Sequence, residues 1–177
     1  MDILQIRANE KLTQLPELPK KLVSIIGPEK REVYKVRSFE LNGYDRINGK
    51  KMDMTRMDDV IMAGSTEIWE VSNPREEMYH NFHVHGIHFK VLEVNGKPVP
   101  AHMIGLKDTI YLPPKSIVKL LARFENLSDE KYPYMYHCHL LMHEAMGMMG
   151  PFLVVEPGIN PSRKLDINHS KGHNHKK

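Results

Sequence analysis

Apolar and polar residues alternate with a period of two along most of the chain, the pattern of strands with one buried face. In REVYKVRSFEL (residues 31–41), Val33, Lys35 and Arg37 oppose Tyr34 and Val36, until NGYDRINGKK (42–51) breaks the run as a turn. TEIWEVSNP (66–74) predicts a second strand, closed by Asn73-Pro74. FHVHGIHFKVLEVNGKP (82–98) reads as a third strand, carried past Gly86 and ended by Asn95-Gly96. KDTIYLPPKSIVKLLARFEN (107–126) supplies two more around Pro113-Pro114, and YPYMYHCHLL (132–141) and GPFLVVEPG (150–158) supply the last two. Only Leu140 to Ala145 suits a helix, of barely a turn and a half. Short strands at regular spacing predict an all-β chain folded as a two-sheet antiparallel sandwich.

The ends read differently. DILQIR (2–7) has strand character without neighbours to pair with, and NEKLTQLPELPKKLVSIIGPEK (9–30), with Pro16, Pro19 and Pro28, reads as a linker or wrapping segment. Residues 1–30 are therefore expected to be the end of a preceding domain plus a linker. Residues 31–157 form the main domain, and 158–177 a disordered tail rich in His and Lys. His169, His173 and His175 in that tail suit loose metal chelation or plain solvation.

Charge narrows the function. The 25 Lys and Arg against 22 Asp and Glu are spread out, without the basic block interleaved with aromatics that marks a nucleic-acid surface. No run approaches the roughly 18 apolar residues of a membrane span. MDILQIRANEK shows no basic segment followed by an apolar core, so the compartment stays open. Cys138 is the single cysteine, which excludes an intrachain disulfide. The 11 histidines and 12 methionines stand out, because imidazole is the commonest metal ligand and thioether suits copper. Most of the methionines are accounted for as core filling; the histidines cluster too tightly for that.

Two segments hold the clusters: HNFHVHGIHF (80–89) and HCHLLMHEAMGM (137–148). On an extended chain Cys138 points one way, and His137 and His139 the other; His83 and His85 likewise share a face. The residues sort into two sites that share a strand. Cys138, His80, His143 and Met148 are the ligand set of a blue-copper electron-transfer centre: two imidazoles, a thiolate and a weak axial thioether. His83, His85, His137 and His139 make a second, all-imidazole site, joined covalently to the thiolate through the flanking peptide bonds. Zinc is the competing metal, yet a structural zinc site does not call for both motifs.

These motifs carry a resemblance. The chain resembles the C-terminal cupredoxin domain of the bacterial multicopper oxidases, from about Ile3 to Glu156. The likeness runs through LPELP, INGKKMDM, HNFHVHGIHFKVLEVNGKP, GLKDTIYLPP and YMYHCHLLMHEAMGMMGPFLV. It implies a cupredoxin-like Greek-key β-sandwich, with His80, Cys138, His143 and Met148 as type-1 copper ligands. It makes His83 a type-2 ligand and His85, His137 and His139 type-3 ligands. Glu144 matches an acid that helps deliver protons to oxygen, and Glu76 an acid that touches the type-1 histidine and the substrate. The family usually has proline after its first motif histidine; here that residue is Asn81.

A trinuclear copper cluster in this family takes eight histidines, four of them from an N-terminal cupredoxin domain. This chain offers four, and His88, His102 and the tail histidines do not form the missing pairs. The resemblance thus implies a copper oxidase taking electrons from a small one-electron donor, such as a phenol or Cu(I), and reducing dioxygen to water. The partner would be the N-terminal cupredoxin domains. Self-association through the half-cluster face suits it less well, because the two halves would be identical. A stand-alone copper-binding or electron-transfer module is the other reading, because a type-1 site needs one domain only. Leu140, Leu141 and Met142 are expected to flank the histidine face.

Overall fold

The computed structural model describes residues 33–125 and 128–164, with a few isolated positions before residue 33. The strand read over residues 2–7, most of the linker and the tail beyond residue 164 lie outside this range.

The elements in chain order are β1 (Lys35–Asn42), β2 (Arg46–Ile47), β3 (Asp59–Met62), β4 (Thr66–Asn73), β5 (His80–Val84), β6 (Phe89–Val94) and β7 (Lys97–Pro98). A 3-10 turn at Ala101–Met103 leads to β8 (Leu106–Lys107), β9 (Thr109–Leu112), β10 (Ser116–Arg123), β11 (Tyr134–His137), helix α1 (Leu141–Met146) and β12 (Met149–Val155). One sheet runs β2-β1-β4-β10-β6-β7, with β8 also on β6, and the other β3-β12-β11-β5-β9. The fold is the all-β cupredoxin-like sandwich that the resemblance implies. Among the described residues no helix is long and apolar enough to cross a membrane.

Period-two burial builds the core between the sheets. Phe39, Leu41, Trp69, Val71, Val118 and Leu120 face inward from the first sheet, and Phe82, Val84, Ile110, Leu112, Tyr136 and Phe152 from the second. Trp69 lies at the middle, with ring centroids 4.6 Å from Phe39, 6.1 Å from Tyr136 and 6.0 Å from Phe152.

Three features depart from the pattern-based reading. Residues 82–98 are two strands in different sheets, because Gly86 adopts φ 76° and turns the chain out of the second sheet into the first. A Cβ at Gly86 would stand 2.8 Å from the Tyr134 ring, so both the conformation and the space call for glycine. The sandwich also mixes directions: β1 pairs with β4 and β12 with β3 in parallel, each through a crossover. Finally β3, four residues without clean alternation, carries no strand signal of its own and is held by β12.

Glu67 is the charged residue on the buried face of β4, fully enclosed. Arg37 Nε donates to its Oε2 at 2.6 Å and Nη2 to its Oε1 at 3.0 Å, while Nη1 donates to Asp59 at 2.8 Å. Trp69 Nε1 donates to Glu67 at 2.8 Å, and the Tyr136 hydroxyl to Asp59 at 2.9 Å. The network therefore ties β1 and β4 of one sheet to β3 and β11 of the other. Removing one partner leaves a buried charge uncompensated, which costs far more than the net worth of the pair. Arg37→Met is accordingly expected to destabilise the fold by about 3 kcal/mol or more, measured by urea unfolding; a loss below about 1 kcal/mol would show the clamp to be dispensable.

Candidate metal centre

The register of β5 against β11 places both histidine motifs side by side. His83 is opposite His137 and Val84 opposite Tyr136. On β5, His80, Phe82 and Val84 point into the core while His83 points out of it. β11 leaves the ladder after His137, and the Cys138 N–H donates to Met148 O at 3.1 Å. Cys138 is completely buried, whereas His139 beside it is exposed. The alternation inferred from sequence thus persists past the end of the strand.

Helix α1 and its cap bring the remaining groups back. Gly147, left-handed at φ 100°, closes the helix with its N–H on Glu144 O and His143 O. Met148 N–H then donates to His143 O at 3.0 Å. The segment from Cys138 to Met148 is a closed loop that returns Met148, fully buried, to the cysteine's level.

Cys138 Sγ lies 3.8 Å from His80 Nδ1 and 3.5 Å from His143 Nδ1, and the two nitrogens are 3.2 Å apart. Nitrogen donors held about 2.0 Å, and a sulfur about 2.3 Å, from one ion in trigonal geometry stand roughly 3.3 to 3.8 Å from one another. The triangle therefore fits a single transition-metal ion. Burial disfavours the charged forms of its members: His80 is lowered to about 4 by desolvation and the nearby His143, His143 is lowered by desolvation, and the Cys138 thiol is raised. Neutral imidazoles are ready to bind; the thiol must give up its proton. The Tyr44 ring packs edge-on against His143, centroids 5.4 Å apart. Tyr44, Met78, Tyr79 and the His143 edge share a groove of about 430 Å³, with Glu77 at its side. Leu140, Leu141 and Met142 line that groove.

On the other face the donor atoms of His83, His85 and His137 also converge, within 4.8 Å of one another. His83 Nδ1 lies 3.0 Å from Asp108 O and 2.9 Å from Thr109 Oγ1, and His137 Nδ1 lies 3.1 Å from Cys138 O. The carbonyls accept, so the Nδ1 atoms carry the protons and the Nε2 lone pairs stay free. His85 Nε2 and His137 Nε2 stand 3.1 Å apart. The His139 ring is 5.3 Å from His137 and 5.4 Å from His83, beside the convergent three and not within them. Desolvation lowers the pKa of His85 and of His137.

Glu144, on α1, sets Oε2 3.6 Å from His137 Nδ1. Glu76 is exposed, ion-paired with Lys115, and is absent from both groups. His88 and His102 are exposed and in neither group. Sequence reasoning passed over three supports: Asn81, whose Oδ1 accepts the His139 N–H, and Asp108 and Thr109, which anchor His83. Asp108 and Thr109 stand inside GLKDTIYLPP, but an anchoring carbonyl has no side-chain signature.

A buried cysteine with two histidines, backed by a second histidine group on the outer face of a cupredoxin-like sandwich, makes two sites suited to transition-metal ions, and the comparisons supply the family. The multicopper oxidase family model matches residues 26–158, and the chain belongs to that family. It is 38% identical to a multicopper oxidase of Staphylococcus epidermidis over 149 residues, covering 82% of this chain and 32% of the relative. It is 28% identical to a laccase of Bacillus subtilis over 183 residues, covering 88% of this chain and 35% of that one. The multicopper oxidase structure from Pediococcus acidilactici superposes with a TM-score of 0.76 at 34% identity, over 85% of this chain and 33% of that one. The chain thus spans about a third of the length of these relatives. The family implies copper, and the His/Cys groups present suit it.

With Cys138 raised and His80 and His143 lowered, a metal ion taken up by this group near neutrality would displace one proton, from the thiol. The apparent affinity of the Cys138 centre should rise about tenfold per pH unit between pH 7 and 8. Competition titration with a chelator of known affinity checks this; a flat profile would mean that the thiol is not a ligand.

Proposed function

We propose that this chain is the electron-accepting domain of a multicopper oxidase. His80, Cys138, His143 and Met148 would hold a type-1 copper. His83, His85, His137 and His139 supply half of a trinuclear site, with His83 on the type-2 ion and the other three on type-3 ions. When bound, the copper ions supply one-electron redox centres and the site at which dioxygen takes up four electrons and four protons to give two waters.

The residues of this chain perform the rest. The groove of Tyr44, Met78, Tyr79 and Met142 seats a small one-electron donor against the His143 edge, where an electron can enter the centre. Cys138 would link the two donor groups through its own backbone, because His137 and His139 are its immediate neighbours on the opposite face. Glu144, 3.6 Å from His137 Nδ1, is placed to hold a proton at the edge of the oxygen site. Glu76 is paired with Lys115 at the surface and does not line the groove, so it is given no part in electron entry. The observation that carries the reading is the single residue step separating two convergent donor groups on opposite faces of one segment.

Four complementary histidines are expected from an N-terminal cupredoxin domain docked on the His83 and His137 face. Self-association through that face would bring together two identical halves and suits the family's complementary arrangement less well. The second reading, a stand-alone electron-transfer module, is favoured by one feature: the His80–Cys138–His143 triangle is complete within this chain.

The copper-loaded chain should be intensely blue through thiolate-to-copper charge transfer, and Cys138→Ser should abolish the colour. Visible absorption decides it, and a loaded wild type without a strong band refutes the type-1 assignment. Oxygen uptake separates the two readings. By itself the 177-residue chain should consume oxygen negligibly with a phenolic donor, and co-assembly with the complementary cupredoxin domains should restore turnover. Blue protein that stays inactive after such assembly would support the electron-transfer module.

A further inference from the structure

The Tyr136 side chain does more than fill the core. In the second sheet β12 lies between β11 and β3. Tyr136 belongs to β11, yet its hydroxyl donates to Asp59 on β3 at 2.9 Å. To reach it the ring crosses β12 at Gly150, the residue paired with Tyr136. A Cβ on Gly150 would stand 2.5 Å from the ring carbon Cε2 and 2.6 Å from the hydroxyl oxygen, closer than real Cβ contacts come. Gly150 has no left-handed φ, so what calls for glycine here is space alone. Phe39, Phe82 and Phe152 box the ring in from other sides, with centroids 4.7, 5.8 and 6.1 Å away. Arg37 Nη1 holds Asp59 in turn at 2.8 Å. The side chain is a strut, rooted in β11, packed along its length and anchored at its tip.

What the strut crosses is the end of the ladder that leads to the metal centre. β11 and β12 pair as Tyr134 with Phe152, Met135 with Pro151, Tyr136 with Gly150 and His137 with Met149. One step further the Cys138 N–H donates to Met148 O at 3.1 Å. The strut therefore leaves β11 two residues before Cys138 and bears on β12 two residues after Met148. The Met148 side chain is fully buried, and its thioether is only a weak hydrogen-bond acceptor. Backbone pairing and packing are left to set its place relative to Cys138.

We propose that Tyr136, seated on Gly150, is a positioning residue that fixes the spacing of Met148 from Cys138 and thereby the reduction potential of the Cys138 centre. The proposal rests on the type-1 copper reading above, with Met148 as the axial ligand. Thioether donation favours the oxidised ion. A β12 that lifts away from β11 weakens that donation and raises the potential.

The test compares copper-loaded wild type, Tyr136→Phe, Gly150→Ala and Val118→Ala by redox titration, and their metal-free forms by amide hydrogen exchange. Tyr136→Phe keeps the ring and frees the tip, while Asp59 retains Arg37. Gly150→Ala forces the ring and β12 apart. The one-electron equilibrium should shift towards the reduced form about threefold in Tyr136→Phe, a rise of about 28 mV, and about tenfold in Gly150→Ala, a rise of about 59 mV. Without metal, the Cys138 amide should exchange about tenfold faster in both variants, measured against the Leu120 amide on the first sheet. Val118→Ala removes core volume on the first sheet and controls for lost stability; its potential should stay at the wild-type value. A wild-type potential in Tyr136→Phe, or a Val118→Ala potential shifted as far, overturns the proposal. So does a Cys138 amide as well protected in Tyr136→Phe as in wild type. Should Gly150→Ala fail to fold, Tyr136→Phe decides on both measurements. A wild type that binds copper without colour overturns the copper reading and with it the claim on the potential, whereas the metal-free exchange still tests the strut.

Discussion

The alternation of side chains at His137-Cys138-His139 is the constraint on which the rest depends. Three consecutive residues of an extended segment cannot point the same way, so one thiol and two imidazoles divide between the core and the outer face. Only the register of β5 against β11 makes this division useful. It sets His83 opposite His137, so that each group receives its partners from the same neighbouring strand. A slip by one residue would send His80 outward and His83 inward and dissolve both groups at once. The sites are therefore coupled by pairing geometry before any metal binds.

That register needs a stiff support, and the core provides it in two layers. Trp69 and the rings around it fill the space between the sheets, while the Arg37, Glu67 and Asp59 network links four strands across it. Buried ions are an expensive means of stability, since desolvation offsets most of their attraction. They are more selective than apolar packing about which strands may lie together. The Tyr136 hydroxyl, two residues before Cys138, is fixed to Asp59 by this network. The polar clamp thus reaches the segment whose register decides the site.

The chemistry was more legible in the sequence than the topology. Ligand types at short spacings survive any uncertainty about strand ends, so the groups around Cys138 and His83 could be sorted from alternation alone. The path of the chain could not. At Gly86 a local backbone conformation sends one apolar run into two sheets, and period-two patterning continues on both sides of it. The parallel partners of β1 and β12 are set by long crossovers that leave no local signature. Glu67 looks like the solvent side of an alternating strand; Arg37, thirty residues away in sequence, and the Trp69 N–H make its burial tolerable. Asn81 was visible as a departure from the family pattern, but not as the acceptor of the His139 N–H.

Protons and metal compete for the same lone pairs, and the protein has biased that competition. Burial keeps His80, His143, His85 and His137 neutral to lower pH than free imidazole, so these groups stand unprotonated near neutrality. The sign follows from linkage: between a folded value of about 4 and an unfolded value near 6.5, His80 binds fewer protons folded than unfolded. Acid therefore draws the chain towards unfolding, while metal draws it towards the fold through the same nitrogens. Cys138 sits on the opposite side of neutrality, because burial holds its proton on. A buried triangle of two neutral imidazoles and one protonated thiol carries no net charge, so the core can enclose it without metal. Once the thiol is lost to a thiolate, only the cation keeps that burial tolerable, which makes metal retention a condition of the charge balance inside the sandwich.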